Sequence, residues 1–407
     1  MRRVLHVVGE FGLLSETFIA ERIAELDRLG WEAWVATQSV SNRELFPFPP
    51  DERLLCPRPT IGQRAAHRLR GAHSGRDPSW WVDRALVKAR PALVHAHFGW
   101  NAVEALPAVS QSGVPMIVGF HGYDVTVFPR YGFIDLGTES PAPPGDRAFP
   151  YRRLFERLRH ALVVSRFLED KLRRLGFGGD IHVVPSGIRL EGFPFRGPRT
   201  GGDGVRLLFV GRQVPYKGLD VLLNALARLV SRLSNVSLEV IGEGAIRLGN
   251  QALARELGLS RHVTFLGARS HPEVCAALQR ADMLVVPSRT APTGQADTLS
   301  NVVKEGLSVG VQVVATRSGG IPEAIPPRLR ADLVPEDDPA ALAERIEALL
   351  DERDHWMERA RIGRAWVEEQ FDWRQLAPRL GAAYEATLED AAGSAAPTLP
   401  ATGAQAR

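Results

Sequence analysis

Eleven short apolar runs, each bounded by Gly, Pro, Ser or Asp, most narrow what this 407-residue chain can fold into. In the first half they are Val4–Val8, Ala33–Thr37, Leu93–Ala96, Met116–Phe120, Leu162–Val164 and Ile181–Val184. In the second half they are Arg206–Val210, Ser237–Ile241, Val263–Leu266, Met283–Val286 and Gln312–Ala315. Runs this short and this uniformly apolar suit parallel strands buried on both faces. Helical patterns lie between many of them. Thr17–Leu29 sets Phe18, Ile23, Leu26 and Leu29 near one stripe and stops at Gly30. Strand–helix alternation of this kind predicts an α/β protein built from βαβ units, with two doubly wound Rossmann-like sheets.

The most Gly-rich break between periodic stretches is Arg196–Gly204. It divides a first domain, 1–195, from a second, 205–370, with 196–204 as linker. Pro129–Pro150 reads as a loop or flap inside the first domain. A last helix starts near Phe371-Asp372-Trp373 and repeats Trp373, Leu376, Leu380 and Tyr384 at intervals of three and four, giving a helical segment over 371–390. The tail 391–407 has too little apolar content to fold and is expected to be disordered.

Cys56 and Cys275 are the only cysteines, which gives neither a disulfide framework nor a zinc spacing and suits a reducing cytoplasm. No apolar run is long enough to span a bilayer, and MRRVLHVVGEFG reads as a first strand rather than a signal peptide. The net charge of +3 is uneven: Arg58 to Arg90 holds eight basic residues against Asp77 and Asp83, with Trp80 and Trp81 among them. That stretch suits an anionic membrane surface, nucleic acid in principle, or a solvated Arg-rich surface. A peripheral position on the inner face of a membrane is the expectation; nucleic acid is not expected as a partner.

Four strand ends carry candidate chemistry. Gly211-Arg212-Gln213-Val214-Pro215-Tyr216-Lys217-Gly218 follows the first strand of the second domain. Arg212 and Lys217 there supply two cations of the kind a diphosphate needs, one a fork and one a point charge. Gly242-Glu243-Gly244 follows the next strand, a weak signal alone. In Pro292 to Glu323, Asp297 and Glu305 stand eight positions apart, Asp297 in a polar loop and Glu305 in a helical pattern. Eight residues make just over two turns, so both carboxylates could share one face. A bound anion could approach the N–H groups at the helix start. In the first domain, Gly12 lies in the GEFGLLSET loop after the first strand, and His121 follows the fourth in FHGYD, echoed by HAHFG at 95–99. His97 and His121 have no metal-ligand spacing, so no metal site is expected. The first loop is not a G-x-G-x-x-G fingerprint and has no acid at the ribose position, which argues against NAD.

These segments, in this order, resemble retaining glycosyltransferases of family 4, closest to their colanic-acid and exopolysaccharide branch. The resemblance spans roughly residues 4–385. PTGQADTLSNVVKEGLSVGVQVVATRSGGIPE and the GR…KG loop are its specific parts; GEFGLLSET, HAHFG…FHGYDV, VSRFL, PSGI and VTFLG support it. The chain departs from the family pattern at Asp297, where Glu is usual, at EGLSVGV, at Arg189, and in lacking a proline after Gly244. The resemblance implies a GT-B fold, two Rossmann-like domains facing across a cleft, with the final helix crossing back to the first domain. It implies a nucleotide-sugar donor, a UDP-sugar ahead of a GDP-sugar, with no further cofactor. Arg212 and Lys217 would take the leaving diphosphate, Glu305 the ribose, Asp297 with Thr298 and Leu299 the sugar, and His121 the sugar and acceptor site. Gly12, Gly211, Gly242, Glu243 and Arg269 would line the donor pocket. The acceptor would be a saccharide, free or lipid-linked. A nucleotide-sugar 2-epimerase, an NAD-dependent oxidoreductase and a non-catalytic nucleotide-sugar or membrane binder are the rival readings.

Overall fold

The computed structural model describes residues 1–13, 16–43, 49–57, 79–132, 149–199, 204–233 and 235–394. Among these, the strands form two sheets in which every pairing is parallel. The first contains β1 (Arg2–Phe11), β2 (Trp31–Val40), β3 (Leu54–Leu55), β4 (Leu93–His97), β5 (Met116–Phe120), β6 (His160–Val163) and β7 (Asp180–Val183). Its order is β3-β2-β1-β4-β5-β6-β7. The second contains β8 (Val205–Val210), β9 (Val236–Ile241), β10 (Val263–Gly267), β11 (Met283–Val286) and β12 (Gln312–Ala315), in the order β10-β9-β8-β11-β12. β1, ten residues long, and β8, six residues long, each have a strand on both sides, and the order reverses beside each of them, between β1 and β4 and between β8 and β11. Ligands of open parallel sheets bind beyond the carboxyl ends of strands at such reversals. All eleven strands expected from the apolar runs are present, and among the described residues the two-residue β3 is the one strand they missed.

Helices cover both faces, so the middles of the central strands are buried. Leu93–His97 is buried at every position. The Thr17–Arg28 helix packs Ile19, Ile23 and Leu26 on one face of the first sheet, while Leu29 lies beyond its end, partly exposed. The last helix, Trp373–Ser394, brings Leu380 and Tyr384 onto that same face, so the chain finishes against the domain in which it began. This helix runs four residues into the segment expected to be disordered; residues 395–407 lie outside the described ones. The expected loop from Pro129 instead begins within a short helix, Phe128–Tyr131, and most of the rest of it lies outside the described residues, as do linker positions 200–203. Most of the Arg58–Arg90 stretch is also outside them. Trp81 is 1% exposed in the core, so the Trp80-Trp81 pair is not a surface pair. No helix among the described residues is long and apolar enough to cross a membrane.

Candidate active site

The second sheet's reversal sets the β8 loop beside the β11 loop. Lys217 Nζ lies 2.6 Å from Asp297 Oδ1, and Ser288 Oγ donates to Asp297 Oδ2 at 2.6 Å. Burial pulls the Lys217 pKa down, but the Asp297 charge and hydrogen bond outweigh it and the pKa ends raised. Tyr216 braces both cations: Arg212 Nη2 donates to its hydroxyl at 2.8 Å, and Lys217 Nζ lies 5.3 Å from its ring centroid. Arg212 is exposed at the mouth of the loop. Neither Tyr216 nor Ser288 was singled out from the sequence; their position in the strand-end loops was the available signal.

Beside this pair, Gly242 passes so close to Gly211 that a Cβ there would meet the Gly211 carbonyl oxygen at 2.0 Å. Only the missing side chain allows the β8 and β9 loops to touch. Glu243 is held by Arg247, at 2.8 Å and 2.9 Å, and Arg269 Nη1 donates to the Ala268 carbonyl at 2.9 Å. Gly211, Gly242, Glu243 and Arg269 thus line one edge of the second sheet.

Asp297 and Glu305 do not share a helix face. The helix is Asn301–Val309, capped at Ser300 without a side-chain hydrogen bond, so Asp297 precedes it in the loop and only Glu305 rides on it. Glu305 instead lines a cavity of about 510 Å³ between the domains, with Glu21, Arg189, His271, Lys304 and Trp373 among its walls. Burial pushes Glu305 up, His271 and Lys304 pulling the other way. Lys304 is 1% exposed and donates to the Ser186 carbonyl at 2.5 Å; burial brings its pKa down to about 7.

Across the cleft, Asp124 shapes the His121 loop. Its carboxylate accepts the backbone N–H groups of His121, Gly122 and Gly99 at 3.0, 2.8 and 3.1 Å. His121 is flanked by Phe18 and Phe98, each 4.7 Å away between ring centroids, and burial with the nearby Arg22 charge lowers its pKa well below the usual histidine value. Thr298 Oγ1 donates to the His121 carbonyl at 3.1 Å, so the loop after Asp297 rests directly on the His121 loop. Leu299, behind it, is buried in the core. Gly12 has φ +91° and its carbonyl is held by Asn42 at 3.0 Å. Glu16, a few residues on, is pushed up to about 7 by burial and by the charges of Glu10 and Asp124, with Arg212 pulling down; it was not predicted as a site residue.

Two facing parallel sheets with a site between their carboxyl edges define a GT-B glycosyltransferase. Family models agree, "Glycosyltransferase Family 4" matching residues 15–191 and "Glycosyl transferases group 1" matching 204–352. The chain is 30% identical over 326 residues to glycogen synthase of Mycobacterium tuberculosis H37Rv, covering 79% of this chain and 72% of that one. It is 25% identical over 416 residues to WcaL of Escherichia coli K12, a glycosyltransferase assigned to colanic acid biosynthesis, covering 93% and 98%. Anabaena Alr3699/HepE, solved with UDP-glucose, superposes with a TM-score of 0.71 at 17% identity over 95% of this chain and all of that one. The chain belongs to the family-4 glycosyltransferases.

Proposed function

We propose that this protein transfers a sugar from a nucleotide-sugar donor, a UDP-sugar ahead of a GDP-sugar, to a saccharide hydroxyl in surface polysaccharide synthesis, with anomeric configuration retained. The observation that carries the reading is the pairing of Lys217 with Asp297 beside Arg212, set against the His121 loop by Thr298. Arg212 and Lys217 stabilise the leaving diphosphate without a metal. Asp297 and the Thr298 and Leu299 backbone hold the sugar, and Glu305 takes the ribose hydroxyls. The bond from the anomeric carbon to the diphosphate breaks as the acceptor oxygen bonds to the same face, and the acceptor's proton passes to the departing phosphate. A lipid-linked acceptor fits a site on the first domain that meets a membrane. Relatives carrying transferase and synthase names lend the epimerase reading no support.

The test incubates the protein with labelled UDP-, GDP- and ADP-sugars and a lipid-linked saccharide extract, with and without EDTA. Transfer that survives EDTA is expected with one donor class. Lys217→Ala and Arg212→Ala should each lower turnover by about 10²–10³ with folding intact. Wild-type turnover in both variants, or a strict need for Mg²⁺ or Mn²⁺, would overturn the assignment.

A further inference from the structure

The cavity between the domains holds two carboxyls that the protein itself does not engage. Its volume of about 510 Å³ is that of a small-molecule site. In the Thr17–Arg28 helix of the first domain, Glu21, Glu25 and Arg28 recur at intervals of four and three, so one stripe of the helix lines it. Glu25 is taken: Arg28 Nη1 lies 2.9 Å from its carboxylate and Arg189 Nη2 lies 3.2 Å from it. Glu21, one turn earlier on the same stripe, forms no ion pair among the described residues. From the second domain the Asn301–Val309 helix supplies Glu305, which forms none either.

The cations on the wall are committed. Arg374 Nε donates to Asp372 at 2.8 Å, and Lys304 donates to the Ser186 carbonyl. What remains to meet a ligand is mostly hydrogen-bond acceptors, with one added donor, the Trp373 indole N–H, buried without a partner. Burial pushes Glu21 and Glu305 up from the usual carboxylate range, the His271 charge pulls both down, and Glu21 adds to the rise at Glu305. A half-buried carboxyl without a partner is costly, and hydroxyl donors relieve that cost. An anion would face two carboxyls, and a cation would lie against Lys304. An uncharged vicinal diol meets neither obstacle. Asn301, on the cavity wall, is only four residues after Asp297, at most about 14 Å of extended chain. The ribose of a nucleotide whose diphosphate sits on Lys217 can therefore reach the cavity.

We propose that Glu21 is a second ribose-binding residue, supplied by the first domain, and that with Glu305 it takes the 2′- and 3′-hydroxyls of the donor, so that the nucleotide bridges the two domains. This rests on the reading that Glu305 takes the donor ribose.

Calorimetry on the full chain compares the nucleoside diphosphate that binds, UDP or GDP, with its 2′,3′-dideoxy counterpart. The wild type should bind the dideoxy form at least roughly tenfold more weakly. Glu21→Gln should weaken binding of the natural nucleotide by about tenfold to a hundredfold and leave binding of the dideoxy form unchanged. A merely structural loss would weaken both forms alike. Equal affinity of the wild type for the two forms overturns the proposal even if no variant folds. So does folded Glu21→Gln that weakens both forms equally, or neither; in that case the donor reading stands. Binding of neither UDP nor GDP by the wild type would overturn the donor reading and this assignment with it.

Discussion

Of the positions at which this chain departs from the family pattern, Asp297 is the one at which its donor preference should be set. Both carboxylate oxygens are engaged, one by Lys217 and one by Ser288, in a site where the residue is 8% exposed. Asp297→Glu restores the usual acid but moves the carboxylate by about one C–C bond, and misplacement of that order costs ~10²-fold. It should therefore change the ranking of donor sugars while affinity for the bare nucleoside diphosphate stays the same. Asp297→Asn should be worse for every donor. It removes the charge that holds the Lys217 pKa up, costing about 1–3 kcal/mol of interaction. Rates across the donor panel check both; identical rankings and rates in the two variants would place Asp297 outside the site. A second residue-scale prediction concerns pH. A histidine buried as the neutral ring contributes stability that is fully present above its unfolded pKa of about 6.5. That contribution is lost as pH falls toward the folded value, about 3 for His6. The slope is up to about 1.4 kcal/mol per pH unit for each ring. Asp124 and Glu16, pushed up to about 6 and about 7 by burial, act in the opposite sense, so the total slope hides the histidine part. The difference between wild type and His95→Gln in denaturant unfolding isolates it. That difference should shrink as pH drops from 6.5 to 5; a constant difference would mean His95 is not buried neutral.

At the scale of the element, the turn after β12 holds the site loop in place. Gly320 N–H donates to the Asp297 carbonyl at 2.7 Å, and a Cβ on Gly320 would lie 1.8 Å from the Thr298 carbonyl oxygen. The neighbour that would have to give is backbone, which cannot rotate away. Gly320→Ala should cost about 1–3 kcal/mol of stability and lower turnover further by displacing Asp297 and Thr298. Thermal unfolding together with turnover checks this, and a variant with wild-type values of both would show that the turn does not support the loop. This contact is not legible in the sequence, because the 22 intervening residues reach it by way of a helix and a strand. The same limit explains the pairing of Asp297 and Glu305. Spacing measures reach along one helix, whereas Ser300 ends the loop and starts a new element between them.

At the scale of the molecule, the two domains are clasped at several points. Glu323, in the second domain, accepts the N–H groups of Arg166 and Phe167 at 2.7 and 2.8 Å, at the start of the Arg166–Arg174 helix of the first. A carboxylate there satisfies two unpaired donors and meets the positive end of the helix dipole, together about 1–3 kcal/mol. Glu323→Ala should leave each domain folded but open the cleft. A larger radius of gyration by small-angle scattering and a raised KM for the donor are expected; an unchanged radius and KM would show that Glu323 caps a helix without holding the domains.

Local pattern was sufficient for much of this architecture, because strands buried on both faces must be apolar throughout and strand ends must turn on small or polar residues. The strand positions, the α/β class, and the loops carrying Arg212, Lys217, Asp297 and His121 were legible for that reason. Contacts between loops were not, since they depend on how two sheets face each other: Lys217 on Asp297, Thr298 on the His121 carbonyl, Glu323 on a helix of the other domain. Nor did sequence distinguish buried polar residues from surface ones. His6, Arg22, Asp124 and Lys304 look like ordinary polar positions in the chain. Only the covering of both sheet faces, and the return of Tyr384 from the far end, removes them from water and so determines their protonation.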